Sequence, residues 1–235
     1  MNYFFLDTET TGNDLEKDRL TQVCYKMGEQ TVNELFKPPV PISVKSMSIT
    51  HITNKHVADK PPFINSKTFS DLKKILPETI MVAHNAPFDI AMLVAEGLSV
   101  PHSIDTLRVA RYLDTDGVIP EYNLQFLRYY LDLDVPNAQA HDAFGDVLVL
   151  EAVFDRLMKK IRANTKTDDE ALLEMKRISD TPLLMKKFNF GKHKDKTVEE
   201  VAQSAPDYLE WLLKQKLTAG EDDDWVYTLK HYLKK

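Results

Sequence analysis

The sequence predicts an α/β fold. A mixed β-sheet should carry helices on both faces, and a small, mostly helical unit with a short hairpin should follow it. Three observations predict this. Three short runs of strand character crowd into the first 37 residues, and their short connections imply antiparallel pairing. From residue 66 onward the pattern becomes strand–helix alternation, which implies a parallel part to the sheet. After a polar stretch at residues 162–181, a second set of helix-spaced apolar segments begins.

The elements follow in order. Residues 2–7 read as a strand, and residues 19–27 ("RLTQVCYKM") and 31–37 ("TVNELFK") as two more, joined by a turn at Gly28-Glu29. "PPVP" (38–41) is a loop. Residues 66–76 suit an amphipathic helix stopped by Pro77, and "TIMVAH" (79–84) a buried strand. Pro87 favours the first turn of a helix that Gly97 ends. Residues 105–113 and 122–131 carry helical apolar spacing. The longest helix spans 143–161, with Phe144, Val147, Leu148, Leu150, Val153, Phe154 and Leu157 on one broad face. Residues 162–181 read as a linker with one short helical stretch. A hairpin around Gly191 and helices at 197–204, 206–216 and 223–234 complete the chain.

The 235 residues are enough for one large domain or one domain plus a small one. Cys24 is the only cysteine, so no intrachain disulfide can form and a reducing, cytoplasmic setting is expected. No signal peptide or membrane span is expected. The net charge of −6 argues mildly against a nucleic-acid partner, yet it hides an asymmetry. Residues 1–180 hold 20 Lys and Arg against 27 Asp and Glu, whereas residues 181–235 hold 10 against 9.

Chemistry concentrates in carboxylates. In "FLDTET" (5–10), Asp7 and Glu9 share one face of a strand, about 6–7 Å apart along the chain. Like charges that close repel unless something positive lies between them. Asp89 stands in the first turn of a helix in "HNAPFD", and "HDAFGD" sets His141 five residues before Asp146. One such acid alone is a helix cap or a solvated strand end, as Asp105 and Asp142 are read here. Four together, without thiols, suit Mg²⁺ or Mn²⁺ rather than Zn²⁺. Two such ions can serve an in-line displacement at phosphorus, and His141 can take the proton of the attacking water.

These three stretches resemble the motifs of the DEDD exonucleases, whose fold is ribonuclease H-like with a five-stranded mixed sheet. The likeness covers residues 1 to about 160 and includes "HITNKHVADKP" (51–61), "DTLRVARYL" (105–113) and "YNLQFL" (122–127). A histidine five residues before the last aspartate places the chain with the histidine branch. The tail, "LLMKKFNFGKHKDKTVEEVAQSAPDYLEWLL" and "YTLKHYL", is similar to the C-terminal region of the exodeoxyribonuclease X family.

The resemblance implies a 3′-5′ exonuclease domain at 1–161, a linker at 162–181 and a DNA-binding or accessory unit at 182–235. It implies that Asp7 bridges two Mg²⁺ ions, with Mn²⁺ able to substitute. Glu9 and Asp146 would complete the tighter site, Asp89 would hold the second ion, and His141 would be the general base. Thr8, Thr10, His51 and Ile52 would meet the terminal nucleotide, a packing role being the alternative. His84 reads as a structural histidine at a strand end. DNA 3′ ends, single- or double-stranded, would be the substrate, in DNA repair, with distributive action and a homodimer left open.

The tail adds a physical reason for DNA. "KKFNFGKHKDK" (186–196) sets Lys186, Lys187, Lys192, Lys194 and Lys196 around Phe188 and Phe190. The lysines suit backbone phosphates. The two aromatics serve either as base-stacking groups or as core. Two other functions stay open at this level. One is trimming of RNA 3′ ends, which the same acids can catalyse; the other is a non-catalytic nucleic-acid or polymerase-binding module.

Overall fold

The computed structural model describes residues 1–136, 138, 143–219 and 223–235. Five strands form one mixed sheet in the order β3-β2-β1-β4-β5. They are β1 (Tyr3–Thr10), β2 (Leu20–Met27), β3 (Gln30–Leu35), β4 (Ile80–Ala83) and β5 (Ser103–Asp105). β2 pairs antiparallel with β1, across the loop 11–19, and with β3, through a tight turn, and β4 and β5 extend the sheet in parallel from β1.

Alternation along β1 decides the layers, because successive side chains leave a strand on opposite faces. Phe5 packs with one group of helices: α5 (Thr106–Leu113), α6 (Leu124–Tyr130), α7 (Ala143–Arg162) and α8 (Asp168–Asp180). Phe4 and Leu6 pack on the other face, against α3 (Lys67–Ile75) and α4 (Ala86–Ala95). α7 crosses the centre of the sheet. Val147, Leu150, Val153, Phe154 and Leu157 are all buried there, and Lys26 of β2 pairs with Glu151.

Several elements differ from the sequence expectation. Residues 162–181 are not a linker: α8 packs Ala171, Leu172, Met175 and Ile178 into the same core as α7. Those four recur at helical spacing, a signal masked by the acidic and basic residues around them. β5 is only three residues long, too short for a period to show. Residues 42–65 hold two short helices, α1 (Val44–Thr50) and α2 (Asn54–Val57), and a 3-10 turn. α1 is tied to the sheet by Ser46, whose hydroxyl donates to the carbonyl of Thr10.

The C-terminal unit has its own core. Phe188, Val198, Val201, Leu209, Leu212, Leu213, Trp225 and Leu229 pack between α9 (Val198–Ser204), α10 (Pro206–Ala219) and α11 (Asp223–Leu233). The expected hairpin reduces to one antiparallel bridge, Lys187 to Thr197, around a 3-10 turn at Gly191–His193. Phe188 stacks on Trp225 at 4.8 Å and is core, and the half-buried Phe190 packs against that core, meeting the same ring at 5.1 Å.

Asp224, 1% exposed, fastens this unit to α5. Its carboxylate lies 2.9 Å from Arg111 and 3.2 Å from Arg108, and it accepts from the backbone N–H of Leu183 at 3.0 Å.

Candidate active site

The candidate site forms where β1 ends. Phe5, Asp7 and Glu9 fall on the face that α7 covers, because the strand period is two. Hydrophobic residues up to Leu6 bury the strand and carry the two acids to its exposed end. The β1–β2 register shifts between Glu9 and Thr10, just past the acids, with Thr21 of β2 left between the two paired positions.

Asp146 sits in the first turn of α7 and is 9% exposed. Oxygen atoms of Asp7, Glu9 and Asp146 lie within 4.8 Å of one another. Gln125 of α6 donates its side-chain N–H to Asp146 Oδ1 at 2.6 Å and so restrains that carboxylate. Carboxylate oxygens converging from a strand and a helix, with no thiol in the group, fit a hard divalent cation.

Asp89 reaches the same strand end from the opposite layer. α4 packs on the Phe4–Leu6 face, which is also the face of Thr8. The Thr8 hydroxyl donates to Asp89 Oδ1 at 2.7 Å. Asp89 is 4% exposed and is not in the group formed by Asp7, Glu9 and Asp146. Burial pushes its carboxyl well above the ordinary carboxylate range, against the hydrogen bond from Thr8.

The entry to α4 is built to hold that position. Asn85 is left-handed at φ 64°, and its N–H donates to Asp105 Oδ1 at 2.9 Å. Asp105 also caps α5 through the N–H of Leu107. His84 is structural, as its place at the strand end suggested: Nε2 meets the carbonyl of Tyr122 at 2.7 Å and Nδ1 the hydroxyl of Thr106 at 2.9 Å. Burial lowers its pKa to about 4, so the ring is neutral and Nε2 donates.

The other expected site residues are placed as follows. Thr10 is buried and donates to the carbonyl of Gly12 at 2.6 Å. Gly12 is closely approached: a Cβ there would lie 2.4 Å from Asp18 Oδ2, so the Asp18 side chain would have to shift. His51 is exposed at the end of α1 in a left-handed conformation, φ 59°. Ile52 is buried with Ile42 and Val57. Lys186, Lys187, Lys192, Lys194 and Lys196 are all exposed. His141 and Asp142 lie outside the described residues. Gln125 was not singled out from the sequence. Its amide does not titrate, and its only signal was its place in "YNLQFL".

Residues 4–154 match the family model described as Exonuclease. The chain belongs to the exonuclease family. A second model, Exodeoxyribonuclease X-like C-terminal, matches residues 188–216 of this exonuclease. It is 30% identical over 97% of both chains to exodeoxyribonuclease 10 of Escherichia coli strain K12. It is also 30% identical to the DNA polymerase III subunit epsilon of Treponema pallidum, over 65% of this chain and 74% of that one. Among solved structures, exonuclease X in complex with 5′ overhanging duplex DNA superposes with a TM-score of 0.59 at 25% identity. That match covers 75% of this chain and 99% of the other. The fold is therefore the ribonuclease H-like one expected, and the protein is a nuclease.

Proposed function

We propose that this exonuclease shortens DNA from the 3′ end, releasing 5′-mononucleotides distributively, in DNA repair. The meeting of Asp7, Glu9 and Asp146 oxygens within 4.8 Å carries the reading. The likeness of the whole chain to an exodeoxyribonuclease supports DNA as the substrate. Asp7, Glu9 and Asp146 would hold one Mg²⁺ and Asp7 with Asp89 a second, Mn²⁺ serving in its place. Such ions supply a polarised phosphate and a more acidic attacking water.

The chain's own groups do the rest. Gln125 fixes the Asp146 carboxylate through one oxygen, and Thr8 fixes Asp89. His141, five residues before Asp146, takes the proton from the attacking water. Attack at the last phosphodiester breaks the bond from phosphorus to the preceding 3′-oxygen, so the shortened strand keeps a 3′-hydroxyl. Residues 1–161 supply this chemistry, and residues 182–235 serve as a DNA-binding accessory unit.

Matched DNA and RNA oligomers, labelled at either end, test the proposal in Mg²⁺ and in EDTA. A ladder of 5′-labelled DNA products, absent in EDTA, is the expected result. A labelled mononucleotide from the 5′ end as first product would reverse the polarity. Faster turnover of RNA would make the protein an RNA trimmer, and no turnover of either would leave a binding module.

A further inference from the structure

The C-terminal unit carries an aromatic pair at the edge of its core: Tyr208, half-buried with its ring 5.8 Å from Phe188, and Trp211, which faces water. Its other tryptophan, Trp225, is buried against Phe188 and Phe190. Trp211, in α10, is 54% exposed. One turn earlier stands Tyr208, its ring 5.5 Å from that of Trp211 and inclined to it by only 30°.

The lysine-rich turn is drawn onto Tyr208. Gly191 is left-handed at φ 67°, and a Cβ there would lie 3.0 Å from the Tyr208 hydroxyl, so only glycine lets the turn approach without displacement. The His193 ring sits 4.5 Å from Tyr208, and the Lys192 ammonium lies 4.9 Å over the Tyr208 ring. Lys194 follows in the same turn, exposed. Glu210, the acid beside Trp211, is paired with Lys235 at 2.9 Å.

We propose that Tyr208 and Trp211, with Lys192 beside them, form a stacking platform for unpaired bases of a nucleic-acid strand. The chemistry is specific to that ligand class. Every base presents a flat π-face to an aromatic ring, and each carries a phosphate that an adjacent ammonium can meet. The site deepens the DNA reading above, on which it rests. It lies in a different unit from Asp7, Glu9 and Asp146, so it holds a part of the strand that is not being cut.

The test uses the full chain in EDTA, where no strand is degraded, with fluorescently labelled dT20 and a blunt 20-base-pair duplex as probes. Trp211→Ala should weaken dT20 binding by about tenfold, in keeping with the loss of one aromatic stack. Trp211→Phe should retain most of the affinity. Leu217→Ala removes another exposed apolar side chain of α10 and should change nothing. The duplex offers no free base faces, so its binding should be unmoved by Trp211→Ala. In Mg²⁺, turnover of a trinucleotide should match the parent.

Parental dT20 affinity in Trp211→Ala would overturn the proposal and leave Trp211 as a surface for a protein partner. An equal loss on duplex and single strand would overturn it as well. Failure of the DNA reading is seen separately, in the parent's own turnover of DNA and RNA. A stack is indifferent to the sugar, so rU20 should show the same Trp211 dependence as dT20.

Discussion

At the scale of single residues, the site divides by face. Asp7, Glu9 and Asp146 share one side of the sheet, and Asp89 comes from the other, held by Thr8. Asp7→Asn should lower turnover in Mg²⁺ by about 10³-fold or more, the loss of several kcal/mol of charge stabilisation. Steady-state rates on short DNA check this, with circular dichroism to show the fold intact. Asp89 behaves differently in the metal-free protein. Its folded pKa is raised, so the neutral form favours folding, and stability falls as pH rises above the unfolded value of 3.8. Asp89→Asn keeps an acceptor for Thr8 and removes that penalty. In EDTA it should be more stable than the parent at pH 8, on the order of 2 kcal/mol, and equal to it below about pH 4. A melting series across pH reads both ends. For His141, the rate should rise with pH through one ionisation near neutrality, and His141→Ala should flatten that limb while leaving Mg²⁺ affinity unchanged.

At the scale of elements, what matters is how helices are pinned to strand ends. His84 closes the end of β4 against α5 and the chain before α6, through Thr106 and Tyr122. A buried histidine that stays neutral makes the fold acid-sensitive. Its folded pKa of about 4 lies below the ordinary 6.5, so the unfolded chain binds more protons between these values. The contribution is full above about pH 6.5 and lost as pH falls toward 4. The stability gap between the parent and His84→Gln should therefore narrow from pH 7.5 to pH 5, by about 2 kcal/mol. Denaturant titrations at the two pH values measure it. α8 makes the same point about packing. Read as polar connector, it is instead held by Ser179, whose hydroxyl accepts from the N–H of Asp105, and by the Ser179 carbonyl, which accepts from Arg108 at 2.6 Å.

At the scale of the whole molecule, one buried acid joins two units. Asp224 faces Arg108 and Arg111 with almost no access to water. Removing one partner of such a group leaves charge buried without compensation, at a cost of roughly 3–5 kcal/mol. Asp224→Ala should loosen the C-terminal unit, seen as new protease cleavage near residues 181–187 and weaker binding of long DNA. Trinucleotide turnover should persist, because Asp7, Glu9, Asp89 and Asp146 are untouched. The lysines of the turn act on the same scale. Changing Lys186, Lys187, Lys192, Lys194 and Lys196 to Gln should weaken binding equally across sequences. The log–log salt slope should fall by about one for each phosphate no longer neutralised, as titrations at several salt concentrations will show.

The first four strands and the long helix were legible in the sequence because each rests on local order. A period of two puts Asp7 beside Glu9 whatever the rest of the chain does, and a helical stripe from Phe144 to Leu157 buries α7. The charge of the tail was legible too, as a count. What local order does not contain is which distant groups meet. The convergence of Asp146 with Asp7 and Glu9, the descent of Asp89 from the opposite layer onto Thr8, and the hold of Gln125 on Asp146 all need the sheet assembled. The burial of Asp224 between two arginines more than a hundred residues away needs both units packed. The fates of Phe188 and Trp211 were decided the same way. Both are aromatic, and only the packing of α10 and α11 seals one against Trp225 and leaves the other facing water.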